Sequence, residues 1–410
     1  MFRYVKIVLV IIIFGCEHKK FFNPHDPANL PPPPELLYPE DNSIFMDNPP
    51  FFQWDLKEDS LNPFYGGDIT FELQVNTNSD FNGAPSFSCI TSYCIYLPVK
   101  LFGDSTYYWR VRAKYNETDW GEWSKVNRFR VRFPAVGALS IPHYNDDMIL
   151  HLNYAFIAHL PGLYVIDITN PSNPQMVCFY SDTISQFSKI AIKEYNLYAI
   201  GGYKLGEYDI HNVSSPLPKR YLTLPYSARD LVLWGNFIYV TTWAQTYKIN
   251  AVDPDSLYIV DSFSCSGSLI DVKDNYLFIL DAVILYIIEL TTNNISTRHL
   301  PGTASSLWFS ENYCFIAGNN VWVYDITEPL NPILVTTIDK SAYTISASGR
   351  YLFFSTYDYQ YQINVLCIYD VSNISNPQYL ATIKYCGGLI GTDGNFIYLT
   401  EQAFYVIKYE

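Results

Sequence analysis

Histidines are the first candidates for chemistry in this chain, because three of them recur at a regular spacing. His143, His151 and His159 follow one another at intervals of eight residues. The hydrophobic pattern around them places one in a connection, one in a strand and one in a turn, so we do not expect their imidazoles to converge on one ion. The sequence therefore predicts no metal site.

Short acidic groups are the second candidates. Asp146-Asp147 and Asp253-Pro254-Asp255 lie in segments that the pattern assigns to loops. A calcium ion needs about six to eight oxygen ligands, so solvated turn residues are the better interpretation of such pairs.

Local catalytic motifs are absent from the sequence. It contains no Gly-x-Ser-x-Gly elbow, no Walker loop and no His-Glu-x-x-His pair. We therefore predict that the protein is not an enzyme and holds no cofactor. Carboxylates from distant repeats could still meet in a central channel, which leaves a polysaccharide hydrolase or lyase as a lesser alternative.

The cysteines fall into groups by position. Cys89 and Cys94 are separated by four residues, and in an exported domain they could close a small disulfide loop. Cys178, Cys314 and Cys367 lie in predicted strands, where buried free thiols are the expected state.

Composition favours an all-β protein. The 410 residues include 36 Tyr, 26 Phe and 8 Trp, and these aromatic side chains suit pleated surfaces. The chain also has 25 Pro, and its turn-forming residues recur between short apolar runs. A net charge of −14 and the lack of a basic block argue against nucleic acid as a partner.

Residues 1–15 are organised like an export signal. Two basic residues precede the apolar run Ile7–Phe14, which is too short to cross a bilayer. The run ends in Ile13-Phe14-Gly15-Cys16, which resembles the lipobox of bacterial lipoproteins. This resemblance implies lipidation of Cys16 and attachment to a membrane of the bacterial cell envelope, facing the periplasm or the cell exterior.

Residues 16–34 connect this anchor to the remainder of the chain. The segment is polar, contains the run Pro31–Pro34 and shows no hydrophobic periodicity. Proline-rich segments adopt extended conformations, so we predict a tether.

Residues 35–133 contain short strand candidates with turn signals between them, which predicts one small β-sandwich. Trp54 and the segment Tyr107–Ala113 resemble the core tryptophan and strand F of a fibronectin type III domain. Alternation places Tyr107 and Trp109 on one face of that segment and Arg110 on the other.

A tryptophan–arginine ladder is the feature of this domain that could bind a ligand. Trp120-Gly121-Glu122-Trp123-Ser124 is similar to the tryptophan-serine box of cytokine-receptor type III domains. The resemblance implies that Trp120 and Trp123 stack with Arg110 and Arg112. A structural ladder is a better interpretation than a ligand site.

Residues 134–410 are repetitive, and the repeat predicts the fold. An apolar strand, a polar turn, a second strand, a gap and a third strand recur seven times. Each third strand ends at one marked position, and these positions are 36 to 45 residues apart, a period typical of propeller blades. The positions are Asp167, Asp209, Asn250, Glu289, Asp325, Asp370 and Lys408.

Several repeats continue into a proline-punctuated link, as in Asp167-Ile168-Thr169-Asn170-Pro171 and Asp325-Ile326-Thr327-Glu328-Pro329. With the preceding Tyr164-Val165-Ile166 and Trp322-Val323-Tyr324, these segments resemble the LVIVD repeat family of bacterial surface β-propellers. The resemblance implies a β-propeller, and the seven repeats predict seven blades.

The last repeat lacks a fourth strand, and the chain supplies one elsewhere. Residues 134–140 precede the first repeat and parallel the outer strand Pro174–Tyr180. We expect them to complete the seventh blade and close the ring.

The predicted function follows from this architecture. We expect an envelope scaffold that recognises a protein or peptide through propeller loops, because loops on a rigid scaffold are where binding residues concentrate. A glycan-binding surface lipoprotein is the alternative, suggested by the aromatic content. The sequence makes no prediction of oligomeric state.

Overall fold

The structure is a computed structural model that describes residues 25–26, 30–56, 69–115, 118–142, 145–159, 161–182, 187–401 and 403–410. The predicted signal peptide 1–15, Cys16, most of the predicted tether and His143 lie outside these ranges. The regular secondary structure of the described ranges consists of β-strands alone. Their residues form no helix that is long and apolar enough to cross a membrane.

The chain divides into two compact units. The first consists of the described residues up to Asp41 and of those within Phe52–Tyr96 and Tyr107–Arg128. The second consists of Asn42–Phe51, Leu97–Thr106 and Phe129–Glu410. Three segments that the sequence assigns to an N-terminal domain of residues 35–133 therefore pack within the second unit.

Eight strands precede the repeats. They are β1 (Glu35–Tyr38), β2 (Ser43–Phe45), β3 (Phe52–Asp55), β4 (Ile69–Asn76), β5 (Phe87–Thr91), β6 (Ile95–Tyr96), β7 (Tyr107–Tyr115) and β8 (Asn127–Val131). In the first unit, β3 pairs with β1 and β6, while β4 pairs with β5 and β7. The second unit contains β2, which runs parallel to Phe129–Val131 of β8.

The core of the first unit is aromatic. Strand β7 alternates between buried and half-buried side chains, with Tyr107 and Trp109 buried, as its sequence predicts. The Trp109 ring meets Phe52 edge to face at 5.1 Å, and its Nε1 donates to the carbonyl of Pro39. Trp54 packs in the same way on Phe71 at 5.6 Å.

Seven four-stranded antiparallel sheets make up most of the second unit. Strand β9 (Ala135–Leu139) precedes them. The first sheet consists of β10 (Asn145–His151), β11 (Tyr154–His159), β12 (Gly162–Asp167) and β13 (Gln175–Ser181). The second consists of β14 (Lys189–Lys193), β15 (Asn196–Gly201), β16 (Lys204–Asp209) and β17 (Leu217–Thr223). The third consists of β18 (Ala228–Trp234), β19 (Phe237–Thr242), β20 (Thr246–Asn250) and β21 (Tyr258–Phe263).

The remaining sheets repeat this order. The fourth consists of β22 (Leu269–Lys273), β23 (Tyr276–Asp281), β24 (Ile284–Glu289) and β25 (Ile295–His299). The fifth consists of β26 (Ala304–Ser310), β27 (Tyr313–Gly318), β28 (Val321–Asp325) and β29 (Ile333–Ile338). The sixth consists of β30 (Thr344–Ser348), β31 (Tyr351–Asp358), β32 (Ile363–Asp370) and β33 (Gln378–Lys384). The seventh consists of β34 (Leu389–Thr392), β35 (Phe396–Thr400), β36 (Phe404–Lys408) and β9.

Strand β9 joins the two ends of the repeat region. It pairs antiparallel with β36, with Gly137 opposite Val406, so the pairing predicted for residues 134–140 is confirmed. A β-carbon on Gly137 would overlap the carbonyl oxygen of Pro171, which explains the glycine at this position.

The third strand of every sheet ends at the position that the repeat marks. Four of these residues are aspartates, and each accepts a hydrogen bond from the backbone N–H two residues later, at 2.8–2.9 Å. Hydrogen bonds from the side chain and the backbone of the residue two positions on lower the pKa of each carboxyl below its ordinary value. The aspartates are Asp167, Asp209, Asp325 and Asp370.

Buried apolar clusters join each sheet to the next. One contains Phe156 of the first sheet and Leu197 of the second. Another joins the seventh sheet to the first, since Tyr398 and Val406 pack with Ile157. The innermost strands follow the same order, and β34 lies beside β10.

A segment before β3 covers the outer edge of the sixth sheet. The backbone of Asn48 bonds to Thr382 and Lys384 of β33. Its side chain is fully buried, donating to the carbonyls of Phe102 and Phe133 and accepting from the N–H of Phe102. The segment therefore protects an edge strand that would otherwise be open to pairing.

Candidate functional site

The seven sheets present two different ends. At one end lie the connections between the second and third strands of each sheet and the connections between successive sheets. We call this end the loop face. The opposite end, with the first hairpins and the proline-punctuated links, is the turn face. Because all seven sheets share one strand order, the same kinds of connection gather at each end.

Exposed aromatic side chains concentrate on the loop face. Six large ones lie in its connections: Tyr203, Tyr226, Trp243, Tyr343, Tyr359 and Tyr361. Of the described loop residues on the turn face, Tyr195 is the one exposed aromatic, and its ring stacks on His211 at 4.2 Å. The loop face is therefore the end whose described connections carry most of the exposed aromatic rings.

The second and third sheets hold the best-defined aromatic group. Two backbone hydrogen bonds join the connection that carries Tyr226 to the connection that carries Tyr203. The N–H of Leu224 donates to the carbonyl of Tyr203, and the N–H of Ala228 donates to the carbonyl of Gly202. The Trp243 side chain is 66% exposed, and the guanidinium carbon of Arg229 lies 3.4 Å from its ring centroid. We call Tyr203, Tyr226, Arg229 and Trp243 the Trp243 patch.

This patch is locally positive on an acidic protein. Lys204 is the first residue of β16 and Arg229 the second of β18, and the connections before these strands contain no acidic residue, whereas the chain has a net charge of −14. Neither cation forms an ion pair with any residue that the structure describes. The guanidinium donors of Arg229 are therefore available to an external acceptor.

A second aromatic group lies on the sixth sheet. Tyr357 and Tyr359 meet edge to face at 5.1 Å. The ammonium of Lys384 lies 5.8 Å from the Tyr361 ring. Tyr343, which is also exposed, directly precedes β30 of the same sheet.

A cavity of about 450 Å³ lies between the innermost strands of all seven sheets. Its polar lining includes Asp147, Lys189, Asp230 and Asp271. Asp147 and Asp230 occupy the same place in their strands, four residues before the first hairpin. Each accepts from a backbone N–H of the next sheet, Asp147 from Ile190 at 3.0 Å.

Asp230 is the most buried of these carboxylates. It is 8% exposed and accepts from the N–H groups of Leu231 and Ile270, both at 2.9 Å. Burial raises its pKa to about 7, although Lys189 and the two donors lower it. Burial likewise raises the pKa of Asp271 to about 6.

Lys189 lies between the two carboxylates of the neighbouring sheets. Its ammonium is 3.5 Å from Asp147, and the fields of Asp147 and Asp230 raise its pKa although burial lowers it. We call these three side chains the Lys189 ion group: Lys189 pairs with Asp147 between the first and second sheets, and Asp230 of the third sheet acts on it at longer range.

The assignment of Asp146-Asp147 to a loop is wrong, although Asp146 is exposed to solvent as predicted. Both lie in β10, and Asp147 is partly buried by its bonds to the second sheet. A bulge between Asn145 and Asp147 in the pairing of β10 with β11 interrupts the regular alternation of side chains between the two faces of the strand. The sequence pattern does not reveal this bulge.

The described histidines do not converge. His151 ends β10 at the turn face, whereas His159 ends β11 at the loop face, 5.3 Å from the Tyr164 ring. The described residues contain no group of His, Cys, Asp and Glu side chains that could hold a metal ion.

The tryptophan and arginine side chains of the first unit interleave. Arg110 lies 4.1 Å from the Trp123 ring, and Arg112 lies 4.5 Å from Trp123 and 4.9 Å from Trp120. Arg112 also pairs with Glu72 on β4. These contacts use the arginine donors and ring faces within the unit itself.

Cys89 and Cys94 are free thiols in the structure rather than a disulfide. Cys89 is on β5, paired with β4, whereas Cys94 precedes β6, which pairs with β3. Burial raises the pKa of Cys89 to about 11, so its thiol is protonated at neutral pH. Cys314 and Cys367 are fully buried, as predicted, and Cys178 is half-buried.

Comparison with known proteins addresses the repeat. Residues 145–182 and 301–340 match the LVIVD repeat family. Together with the successive four-stranded sheets, this match decides the class. The chain is a β-propeller repeat protein. No curated protein matches the sequence.

Solved structures resemble the propeller at low identity. The computationally designed Ika8 protein has a TM-score of 0.50 and 10% identity, covering 73% of this chain and 90% of that one. A chain of the Mitotic Checkpoint Complex has a TM-score of 0.55 and 10% identity, over 67% and 91%. BamB from Moraxella catarrhalis has a TM-score of 0.47 and 10% identity, over 67% and 99%. At this identity the first two likenesses concern the fold alone.

Sequence reasoning missed the Trp243 patch and the ion group in the cavity. Asp147 and Asp230 lie the same number of residues before the first hairpins of their sheets. An alignment of the repeats would therefore place the two aspartates at the same position. Arg229 and Trp243 are brought together by pairing of β18 with β19, and no local motif marks them.

Proposed function

We propose that this chain is an envelope-anchored, non-catalytic scaffold that binds a protein or peptide through the loop face of its propeller. The observation that carries the proposal is the Trp243 patch, in which Arg229 stacks on the exposed Trp243 ring and two connections bonded to each other carry the exposed Tyr203 and Tyr226. Arg, Trp and Tyr are the residue types that dominate the energy of protein interfaces.

We infer that the propeller is a closed ring of seven blades. Four observations support this inference: the seven sheets, the contact between β34 and β10, the apolar cluster between the seventh and first sheets, and the pairing of β9 with β36. A closed ring leaves few free edges and holds its loops rigidly, which lowers the entropic cost of binding.

The first unit is inferred to be a fibronectin type III-like spacer. The buried Trp54 and Trp109, together with the tryptophan–arginine ladder, support this assignment. Anchoring through a lipidated Cys16 is proposed from the resemblance of residues 13–16 to a lipobox, and it would display both units outside the cytoplasm.

Binding is favoured over catalysis by the bonding of the cavity carboxylates. Asp147 and Asp230 each use an oxygen on the backbone of the next sheet, and both flank Lys189. These hydrogen bonds hold neighbouring sheets together and occupy carboxylate oxygens that a substrate would otherwise contact.

Site-specific photo-crosslinking tests this function. A photoreactive p-benzoylphenylalanine replaces Tyr226 on the loop face, and in a matched variant it replaces Tyr195 on the turn face. We expect one protein partner to be crosslinked reproducibly from position 226 and not from position 195. Equal capture at both positions, or capture of polysaccharide alone, would contradict the proposal.

A further inference from the structure

We propose that the Trp243 patch recognises an acidic peptide segment, with a carboxylate of the partner bound by Arg229. This inference rests on the proposed function and names the chemistry of its partner. It follows from three features of the patch: its charge, the free donors of its arginine and the geometry of its rings.

Charge complementarity is the first argument. Lys204 and Arg229 lie at the starts of the strands that follow two of the patch connections, and those connections contain no charged residue, while the whole chain carries a net charge of −14. A basic partner would be attracted to most of this protein without selecting the patch. An acidic partner is repelled by the remainder of the surface and attracted here, so its binding is confined to the patch.

The stacking of Arg229 is the second argument. Its guanidinium lies 3.4 Å from the Trp243 ring centroid, which holds the planar donor group in one orientation. A fixed guanidinium loses less entropy on binding and matches the two oxygens of a carboxylate with parallel hydrogen bonds. No described residue forms an ion pair with Arg229, so these donors are unused.

Ring geometry favours a peptide over an acidic polysaccharide. A sugar binds an aromatic ring by covering its face, and Arg229 already covers one face of Trp243. The exposed Tyr203 and Tyr226 rings lie on two adjacent connections that are bonded to each other. Rings at different positions along a surface suit apolar side chains that alternate with carboxylates along an extended chain.

The neighbouring acidic residue does not compete for Arg229. Asp230 follows it directly in the sequence, but its carboxylate accepts from the backbone of Leu231 and Ile270 and is 8% exposed. The chain turns this carboxylate toward the cavity, and Arg229 is left on the loop face.

Fluorescence anisotropy of labelled peptides tests the inference with the full chain. The probe is a short peptide of Glu-Glu-Pro repeats, and its matched neutral control consists of Gln-Gln-Pro repeats. Variants are Arg229→Gln and, as a control, Arg350→Gln, which removes an exposed arginine on the turn face. We expect the acidic probe to bind the wild type and Arg350→Gln equally, and Arg229→Gln about tenfold more weakly.

An Arg229→Lys variant separates charge from geometry. It keeps the positive charge and loses the planar donor group, so we expect an intermediate loss of affinity. Circular dichroism and the melting temperature confirm that each variant is folded, and we expect no change because Arg229 is half-buried and forms no ion pair with a described residue.

Three results would overturn the inference. They are equal binding of the acidic probe to the wild type and Arg229→Gln, equal binding of the acidic and neutral probes, and binding of oligogalacturonate in place of the peptide. Failure of the acidic probe together with successful crosslinking at position 226 would reject acid recognition and leave the proposed scaffold function standing.

Discussion

The carboxylate of Asp230, on the innermost strand of the third sheet, accepts a 2.9 Å hydrogen bond from the N–H of Ile270 on the innermost strand of the fourth. Asp147 and Ile190 repeat this relationship between the first and second sheets. A buried carboxylate thus links neighbouring sheets at the wall of the cavity, with Lys189 between the two aspartates.

Stability is expected to fall as the pH rises toward neutrality, in part through Asp230. Its pKa of about 7 in the folded protein exceeds the value of about 3.9 for an unfolded aspartate. The folded state therefore holds the proton longer, so stability falls between these two pH values by up to about 1.4 kcal/mol per pH unit. Asp271 and Asp146, whose pKa values are also raised, act in the same direction.

Denaturant titrations at several pH values check this expectation. Asp230→Asn should flatten the dependence of the unfolding free energy on pH, while Asp255→Asn, which changes an exposed carboxyl, should leave it unaltered. An Asp230→Asn protein with the pH dependence of the wild type would show that this carboxyl is already ionised in the acid range.

Glu207→Gln is predicted to destabilise the propeller strongly. Glu207 is 1% exposed, bonds to Arg220 and lies 3.4 Å from the Lys219 ammonium. Arg220 also donates to the carbonyl of Ala251 in the third sheet. Removing one partner of a buried pair leaves the other charge uncompensated, at a cost of about 3–5 kcal/mol.

Thermal or urea unfolding measures this loss. Arg350→Gln is again the control, because its pair with Asp370 is exposed and contributes at most about 1 kcal/mol. Equal effects of the two substitutions would mean that Glu207 is not paired in the folded protein.

Asn48→Ala should destabilise the second unit even though residue 48 precedes the repeats. The substitution removes the bonds of a fully buried amide to Phe102 and Phe133 and leaves backbone groups without partners. Each unsatisfied group costs about 1–3 kcal/mol. Asn173→Ala, on an exposed link, is the matched control, and hydrogen exchange of β33 should increase in Asn48→Ala alone.

Gly137→Val tests the pairing of β9 with β36. The valine side chain would collide with the carbonyl of Pro171, so the strand can no longer lie in place. We expect faster hydrogen exchange in β36 and a lower melting temperature. Gly202→Ala is a control at which an added β-carbon meets no atom, although its positive φ adds a modest strain. Unchanged exchange in Gly137→Val would show that β36 does not depend on β9.

The repeat made much of the fold predictable. Strand ends such as Asp167 and Asp325, and the pairing of residues 134–140, follow from local hydrophobic patterns and proline positions that recur along the chain. Asn48 was not predictable, since its partners Phe102 and Thr382 are distant in sequence and no repeat contains it.

The candidate site was less predictable than the fold. The Lys189 ion group depends on which innermost strands become neighbours, and periodicity alone does not give the direction of each side chain. Trp243 is one of many aromatic residues in a chain where most of them pack in cores. Its exposure, and its contact with Arg229, are consequences of the connection between β19 and β20.

The most direct test of recognition through the loop face uses the partner that is crosslinked at position 226. Its affinity is compared between variants of the loop face and the turn face. Isothermal titration calorimetry would compare the wild type with Trp243→Ala on the loop face and Tyr195→Ala on the turn face. The account predicts that Trp243→Ala weakens binding about tenfold or more, while Tyr195→Ala binds like the wild type. Equal affinities for Trp243→Ala and the wild type would contradict recognition through the loop face.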